Sequence, residues 1–130
     1  AAGEAASQAG VSLIMVVDDF ADVRLFLCEL LEASGHRVDA FEAPEAAIDA
    51  VATTRHDLAL IDFAMPSMNG AQLARALRDC RPDLPIAFVT GYAESDQLEG
   101  VLGPDVPVLR KPFGIDELNA LVARALEPQD

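Results

Sequence analysis

Tryptophan is absent from this chain of 130 residues, tyrosine occurs once and cysteine only twice. The two cysteines, Cys28 and Cys80, fall in separate helical patterns with no C-x-x-C spacing, which excludes a disulfide framework and a cysteine-based zinc site. Both read as small buried hydrophobes, and a reducing, cytoplasmic compartment is expected. Positive charge is also scarce: 9 Lys and Arg stand against 22 Asp and Glu, a net charge of −13. A field of that sign repels nucleic acid and anionic membranes, so this segment is expected to contact neither. The apolar run at 11–17 is too short to span a bilayer and follows no basic residues, which excludes a signal peptide or anchor there.

What remains is an apolar, ordered chain. Its apolar content of 52% is too high for disorder, and its length suits one domain with a single buried core. Residues 1–10 are rich in Ala, Gly, Ser, Glu and Gln without periodicity and read as a flexible tail or linker. The folded domain is expected over 11–127, with a frayed end at 128–130. The first residue is not Met, which fits either a segment of a longer chain or a processed start.

Helical and strand patterns alternate through the domain. Val23, Phe26, Leu27, Leu30 and Leu31 recur at helical spacing and form one apolar face, and Gly35 ends that helix as a left-handed residue would. Residues 37–41 read as a strand, and Pro44 opens a second helix that carries Ala47, Ile48 and Val51. A third helix over about 71–80 turns Leu73 and Leu77 inward and Arg75 and Arg78 outward. The last repeats the stripe with Leu118, Leu121, Val122, Ala125 and Leu126. Between 90 and 104, Ser95, Gly100 and Gly103 weaken the helical signal, so a short, mobile fourth helix is expected. Five strands alternating with five helices predict an α/β fold with a parallel sheet.

Four of the apolar runs end abruptly in polar residues. The first ends in Asp18-Asp19, the one at 58–61 in Asp62, the one at 84–89 in Thr90-Gly91, and the one at 106–109 in Arg110-Lys111-Pro112. Short apolar runs of this kind are strands buried on both faces, and open parallel sheets bind ligands at the carboxyl ends of their strands. The polar residues are therefore expected to meet at one edge. Three carboxylates within about 4 Å repel pairwise by roughly 4 kcal/mol at an effective dielectric of about 20, which calls for a cation. Mg²⁺ suits it, because a hard cation takes oxygen ligands and keeps several waters. Capping of the next helix is a competing reading for Asp18-Asp19. It explains Asp62 poorly, because Pro66 and Gly70 separate that residue from the following helix. A hydroxyl (Thr90), an ammonium (Lys111) and a divalent cation around one carboxylate can hold the three oxygens of a phosphoryl group, with the carboxylate as nucleophile.

At this point the residues resemble the receiver domain of two-component response regulators. The resemblance runs from Leu13 to about Leu126. It rests on Val17-Asp18-Asp19-Phe20, on Asp62-Phe63-Ala64-Met65-Pro66-Ser67-Met68-Asn69-Gly70, on Val89-Thr90-Gly91-Tyr92 and on Leu109-Arg110-Lys111-Pro112-Phe113. It implies a flavodoxin-like (βα)5 fold with strand order 2-1-3-4-5 and helices on both faces. It further implies Asp62 as phosphoacceptor, Asp19 as direct Mg²⁺ ligand, Asp18 as holder of metal-bound water, and the Ala64 carbonyl as completing the metal shell. Thr90 is then the switch hydroxyl, Lys111 the phosphate-binding ammonium, and the Lys111–Pro112 peptide is cis. The implied partner is a histidine kinase or phosphotransfer domain. Many receivers carry an aromatic ring three residues before the lysine; this chain has Val108, and Tyr92 is the natural replacement. In that respect it is similar to receivers that lack the ordinary switch, including those attached to sensor kinases.

Two other classes compete. Phosphohydrolases of the haloacid dehalogenase type use a second acid two residues after the nucleophile, where this chain has Ala64. A non-phosphorylated interaction module would gain nothing from the carboxylate repulsion. The leading expectation is a self-phosphorylating and autodephosphorylating signalling domain, not a metabolic enzyme. No basic helix-turn-helix pattern is visible and no output domain is expected after Glu127, so a stand-alone regulator or the terminal receiver of a hybrid kinase is expected.

Overall fold

Two strands, β3 (Leu58–Asp62) and β4 (Ile86–Thr90), are buried at every position. Strands covered on both faces need apolar residues throughout, and these two have them up to their final polar residue. In the computed structural model, which describes residues 12–65, 68–91 and 107–126, they lie inside a five-stranded parallel sheet. Its other members are β1 (Leu13–Val17), β2 (Arg37–Phe41) and β5 (Val108–Arg110), in the order β2-β1-β3-β4-β5. The order reverses between β1 and β3, which places the switch point between the first two aspartates and the third. In register, Val17 lies beside Ile61 and Asp62 beside Val89.

Among the described residues there are four helices: α1 (Ala21–Ala33), α2 (Pro44–Thr53), α3 (Gly70–Cys80) and α4 (Ile115–Ala125). They divide between the two faces, as right-handed crossovers require. Ala47 and Val51 of α2 and Leu73 and Leu77 of α3 pack on Met15, Val17, Ile61 and Phe88. Leu27 and Leu31 of α1 and Leu118, Leu121 and Val122 of α4 pack on Ile14, Val16, Leu60 and Val89. The helix ends use the devices their residues offer. Pro44 opens α2, Asn69 and Gln72 form a reciprocal capping box at the start of α3, and Gly35 follows α1 at φ +96°. At the edge opposite the strand carboxyl ends, buried His56 pairs with Asp39 of β2 at 2.8 Å, and Arg81 donates to the His56 carbonyl.

Several expectations need correction. Phe26 is not part of the buried face of α1: it is 43% exposed, with its ring 5.8 Å from that of Phe113. Cys28 is half-buried, and Cys80, the last residue of α3, is exposed. β4 begins at Ile86 rather than Leu84, since Leu84 N–H closes a turn on the Arg81 carbonyl. The Lys111–Pro112 peptide is cis, as the resemblance implied. The proposed tail at 1–10, the fourth helix expected between 90 and 104, and the end at 128–130 lie largely or wholly outside the described residues. Among the described residues, no helix is long and apolar enough to cross a membrane.

Gly35 has open space where a Cβ would be, so only its backbone conformation demands glycine. Gly35→Ala is expected to cost about 1–2 kcal/mol, the strain of a left-handed non-glycine residue. Urea unfolding of the variant checks it, and an unchanged midpoint would contradict the account.

Candidate functional site

The carboxyl ends of β1 and β3 bring Asp18, Asp19 and Asp62 together, with one carboxylate oxygen from each lying within 4.8 Å of the others. Asp18 and Asp62 are buried, while Asp19 is exposed. Asp18 is held at three points. Its N–H donates to the Phe41 carbonyl at the end of β2, its Oδ1 accepts from Phe20 N–H at 2.9 Å, and its carbonyl accepts from Arg24 Nη1 at 2.8 Å. The remaining oxygen, Asp18 Oδ2, is buried without a protein hydrogen-bond partner. The capping reading of this pair does not hold. The residue at the cap of α1 is Phe20, whose side chain makes no capping bond, and Asp18 reaches only the Phe20 N–H rather than the first turn of the helix.

Lys111 follows β5 and places Nζ 3.9 Å from Asp62 Oδ1. Thr90, the last residue of β4, is buried, and its hydroxyl donates to the Gly91 carbonyl at 3.2 Å. Thr90 is aligned with Arg110, and Lys111 N–H donates to the Thr90 carbonyl. The five polar strand-end residues expected from the sequence, Asp18, Asp19, Asp62, Thr90 and Lys111, therefore stand at one edge. Ala64 is exposed just past Asp62, and its N–H hydrogen-bonds the Asp62 carboxylate. Val108 begins β5 beside Phe88, half-buried against the α2/α3-side core. Tyr92 lies outside the described residues.

The electrostatics follow from burial and crowding. Burial, with the nearby Asp18 charge, pushes the Asp62 carboxyl up to about 6 against the pull of Lys111 and the Ala64 N–H. Asp18 is raised as well, chiefly by burial, with the Phe20 N–H and Lys111 opposing. Groups shifted in this direction favour a proton, and a divalent cation can replace that proton. An orphaned, buried carboxylate oxygen within reach of two more carboxylates is a donor set suited to a hard cation, which is bound through oxygen.

Arg24 was not foreseen from the sequence. It sits on α1 and reaches back to the Asp18 carbonyl, and no local pattern distinguishes it from an arginine facing water. Phe20 belongs to the motif quoted above, but its exposure of 60% directly after the acidic pair was likewise not foreseen.

A doubly wound parallel sheet with an acidic cluster, a hydroxyl and an ammonium at its switch-point edge defines a phosphoryl-handling domain of the flavodoxin-like class. Residues 14–123 match the family model of the response regulator receiver domain. The chain is 36% identical over 106 residues to the response regulator receiver protein CpdR of Brucella abortus, covering 81% of this chain and 88% of that protein. It is 37% identical over 117 residues to the two-component response regulator PhoP of Pseudomonas aeruginosa, covering 86% of this chain but 52% of that protein. Among solved structures, the response regulator TrrA of Thermotoga maritima, in complex with Mg²⁺-BeF, superposes with a TM-score of 0.77 at 30% identity, covering 88% of this chain and 99% of that one. FixJ-N superposes with a TM-score of 0.80 at 27% identity, covering 92% and 96%. The chain belongs to the response regulator receiver domain family and is a phosphoacceptor domain of two-component signalling.

The raised carboxyl of Asp62 has a consequence for stability. Its folded value of about 6 lies above the ordinary 3.8, so the folded state binds the proton more tightly. The contribution of this group to stability therefore falls as pH rises between those values, and above about 6 the ionised carboxylate destabilises the cation-free fold. Asp62→Asn is expected to stabilise that form at pH 7.5 by up to about 3 kcal/mol. The gain should vanish below pH 4. Urea unfolding at both pH values measures it, and equal gains at the two would refute the charge argument.

Proposed function

We propose that Asp62 is the residue that accepts the phosphoryl group, from a histidine kinase or a phosphotransfer domain, in a Mg²⁺-dependent reaction. The observation that carries this reading is the placement of Asp62 at the end of central β3, with Lys111 Nζ at 3.9 Å and two further carboxylates beside it. At neutral pH the Asp62 carboxyl is largely ionised, with a value near 6, and can act as nucleophile. A carboxylate oxygen attacks phosphorus and forms the P–O bond of an acyl phosphate. The P–N bond to the donor imidazole breaks, and the imidazole leaves with the bonding pair. Lys111 offsets the charge that collects on the phosphoryl oxygens, and the Thr90 hydroxyl can exchange its bond to Gly91 for one to the phosphoryl group. Asp19 would hold the cation directly, Asp18 through water, and Asp62 and the Ala64 carbonyl would complete the set. Bound there, Mg²⁺ neutralises the crowded carboxylates and the incoming phosphoryl charge.

The approach of the donor is supported by apolar surface around the site. Phe20, Leu25 and Phe26 on or beside α1, and Ile115 at the start of α4, are all more than 40% exposed. Phe20 directly follows the acidic pair and Phe26 packs beside Phe113, two residues after Lys111, where a protein carrying phosphohistidine would cover them. With Val108 aliphatic and packed beside Phe88, no ring can turn inward at that position. The reading therefore assigns the output change to Thr90 and to the stretch after it, including Tyr92. A phosphohydrolase is disfavoured because Ala64 supplies no second acid.

Acetyl phosphate with Mg²⁺ should add the mass of one phosphoryl group to the intact protein, and Asp62→Asn should abolish the addition. A phosphorylated Asp62→Asn protein would overturn the assignment. In Mg²⁺ titrations Asp19→Asn should lose more affinity than Asp18→Asn, since a direct ligand is worth more than a water-mediated one. Unchanged affinity in Asp19→Asn would refute the metal site.

A further inference from the structure

Of the described glycines, Gly35 alone has a positive φ, so Gly70 is not required for its backbone conformation. It is required for space. A Cβ at residue 70 would lie 2.8 Å from the Phe63 Cα and 3.0 Å from two carbons of the Phe88 ring. The Phe63 contact is to backbone, which cannot turn aside as a long side chain can. The Gly70 N–H donates to the Phe63 carbonyl at 2.8 Å, and the Phe63 N–H donates to the Val89 carbonyl at 3.0 Å. The residue directly after Asp62 is thus fixed by β4 on one side and by the first residue of α3 on the other. The Phe63 and Phe88 rings meet edge to face at 6.1 Å across the same junction.

We infer that Gly70 is a positioning residue for the acidic site: its missing side chain lets the start of α3 seat against Phe63, and this seating holds the Asp62–Ala64 backbone where the carboxylate and the Ala64 carbonyl can serve a cation together. The inference rests on the Mg²⁺ reading above. A methyl group at residue 70 drives α3 away from Phe63 and stretches the bond to its carbonyl. The Asn69–Gln72 capping box keeps the helix end intact, so the first turn retreats as a unit instead of fraying. Ala64, one residue beyond Phe63, shifts with it, and the hydrogen bond from Ala64 N–H to the Asp62 carboxylate is disturbed. Phe88 carries the same push along β4 toward Thr90, two residues on. Gly70 touches neither cation nor phosphate and acts only through Phe63 and Phe88.

The test compares Gly70→Ala with Gly35→Ala, a glycine variant at the far end of the sheet that strains the fold without approaching the site. Calorimetric Mg²⁺ titration should find affinity weakened by about tenfold or more in Gly70→Ala, the usual loss for groups that orient ligands. Gly35→Ala should stay within about twofold. A second measurement needs no variant, because coupling is reciprocal: if the seat of Gly70 favours the cation, the cation must favour the seat. Amide exchange at Gly70 in the wild-type protein should therefore slow when Mg²⁺ saturates the site. This measurement decides the matter if Gly70→Ala does not fold. Gly70→Ala binding Mg²⁺ as the wild type does, or Gly70 exchange indifferent to Mg²⁺ while the wild type binds it, overturns the inference alone. A wild-type protein that binds no Mg²⁺ overturns the reading on which it rests.

Discussion

Mutual repulsion of three carboxylates at the end of a parallel sheet is the constraint around which this molecule is arranged. Asp18, Asp19 and Asp62 would move apart if their backbones allowed it. They cannot, because β1 and β3 are adjacent, in register and buried on both faces. Apolar burial supplies the rigidity. Each large buried side chain contributes about 1.5–3 kcal/mol, and the strands leading to the acidic residues carry several. The sheet therefore stores electrostatic strain at one edge while drawing its stability from the middle.

The groups around that edge limit how the strain can be relieved. Asp18 is tied through its N–H, one carboxylate oxygen and its carbonyl, which leaves a single buried oxygen without a partner. Lys111 stands 3.9 Å from Asp62, close enough to lower the repulsion and too far for a tight hydrogen bond. Protonation of Asp62 and a divalent cation are two ways of satisfying the same cluster, and they compete. Chemistry and folding stability are coupled through this one set of charges.

Most of the fold was legible because its signals are local. Residues 37–41 formed the expected strand, Pro44 opened α2, and Gly35 took the left-handed conformation after α1. The candidate site was legible for a different reason: four apolar runs stopped on polar residues, and strand ends converge in open sheets whatever their separation along the chain. The misreadings share a cause. Phe26 satisfies helical spacing, yet its side of α1 looks toward Phe113 rather than the sheet, and Cys80 lies at helical spacing from buried Leu77 but is exposed at the end of α3. Periodicity records which side of a helix is apolar but not where its neighbour ends. Arg24 was silent and the role of Gly70 unread for another reason, since each acts through a backbone atom that no side-chain pattern marks.

The parallel topology also affects how this chain comes to exist. Every strand pair in the sheet is joined through a crossover, so none of its ladders is a local hairpin. High contact order slows the search for the native state, and here the acidic residues meet only once β1 and β3 have paired across the intervening β2 and its helices. A partly folded chain keeps Asp62 apart from Lys111, which directly follows the edge strand β5. The assembled cluster is thus a report that the sheet has closed from β1 to β5, since its members sit at strand ends that only the finished topology brings together.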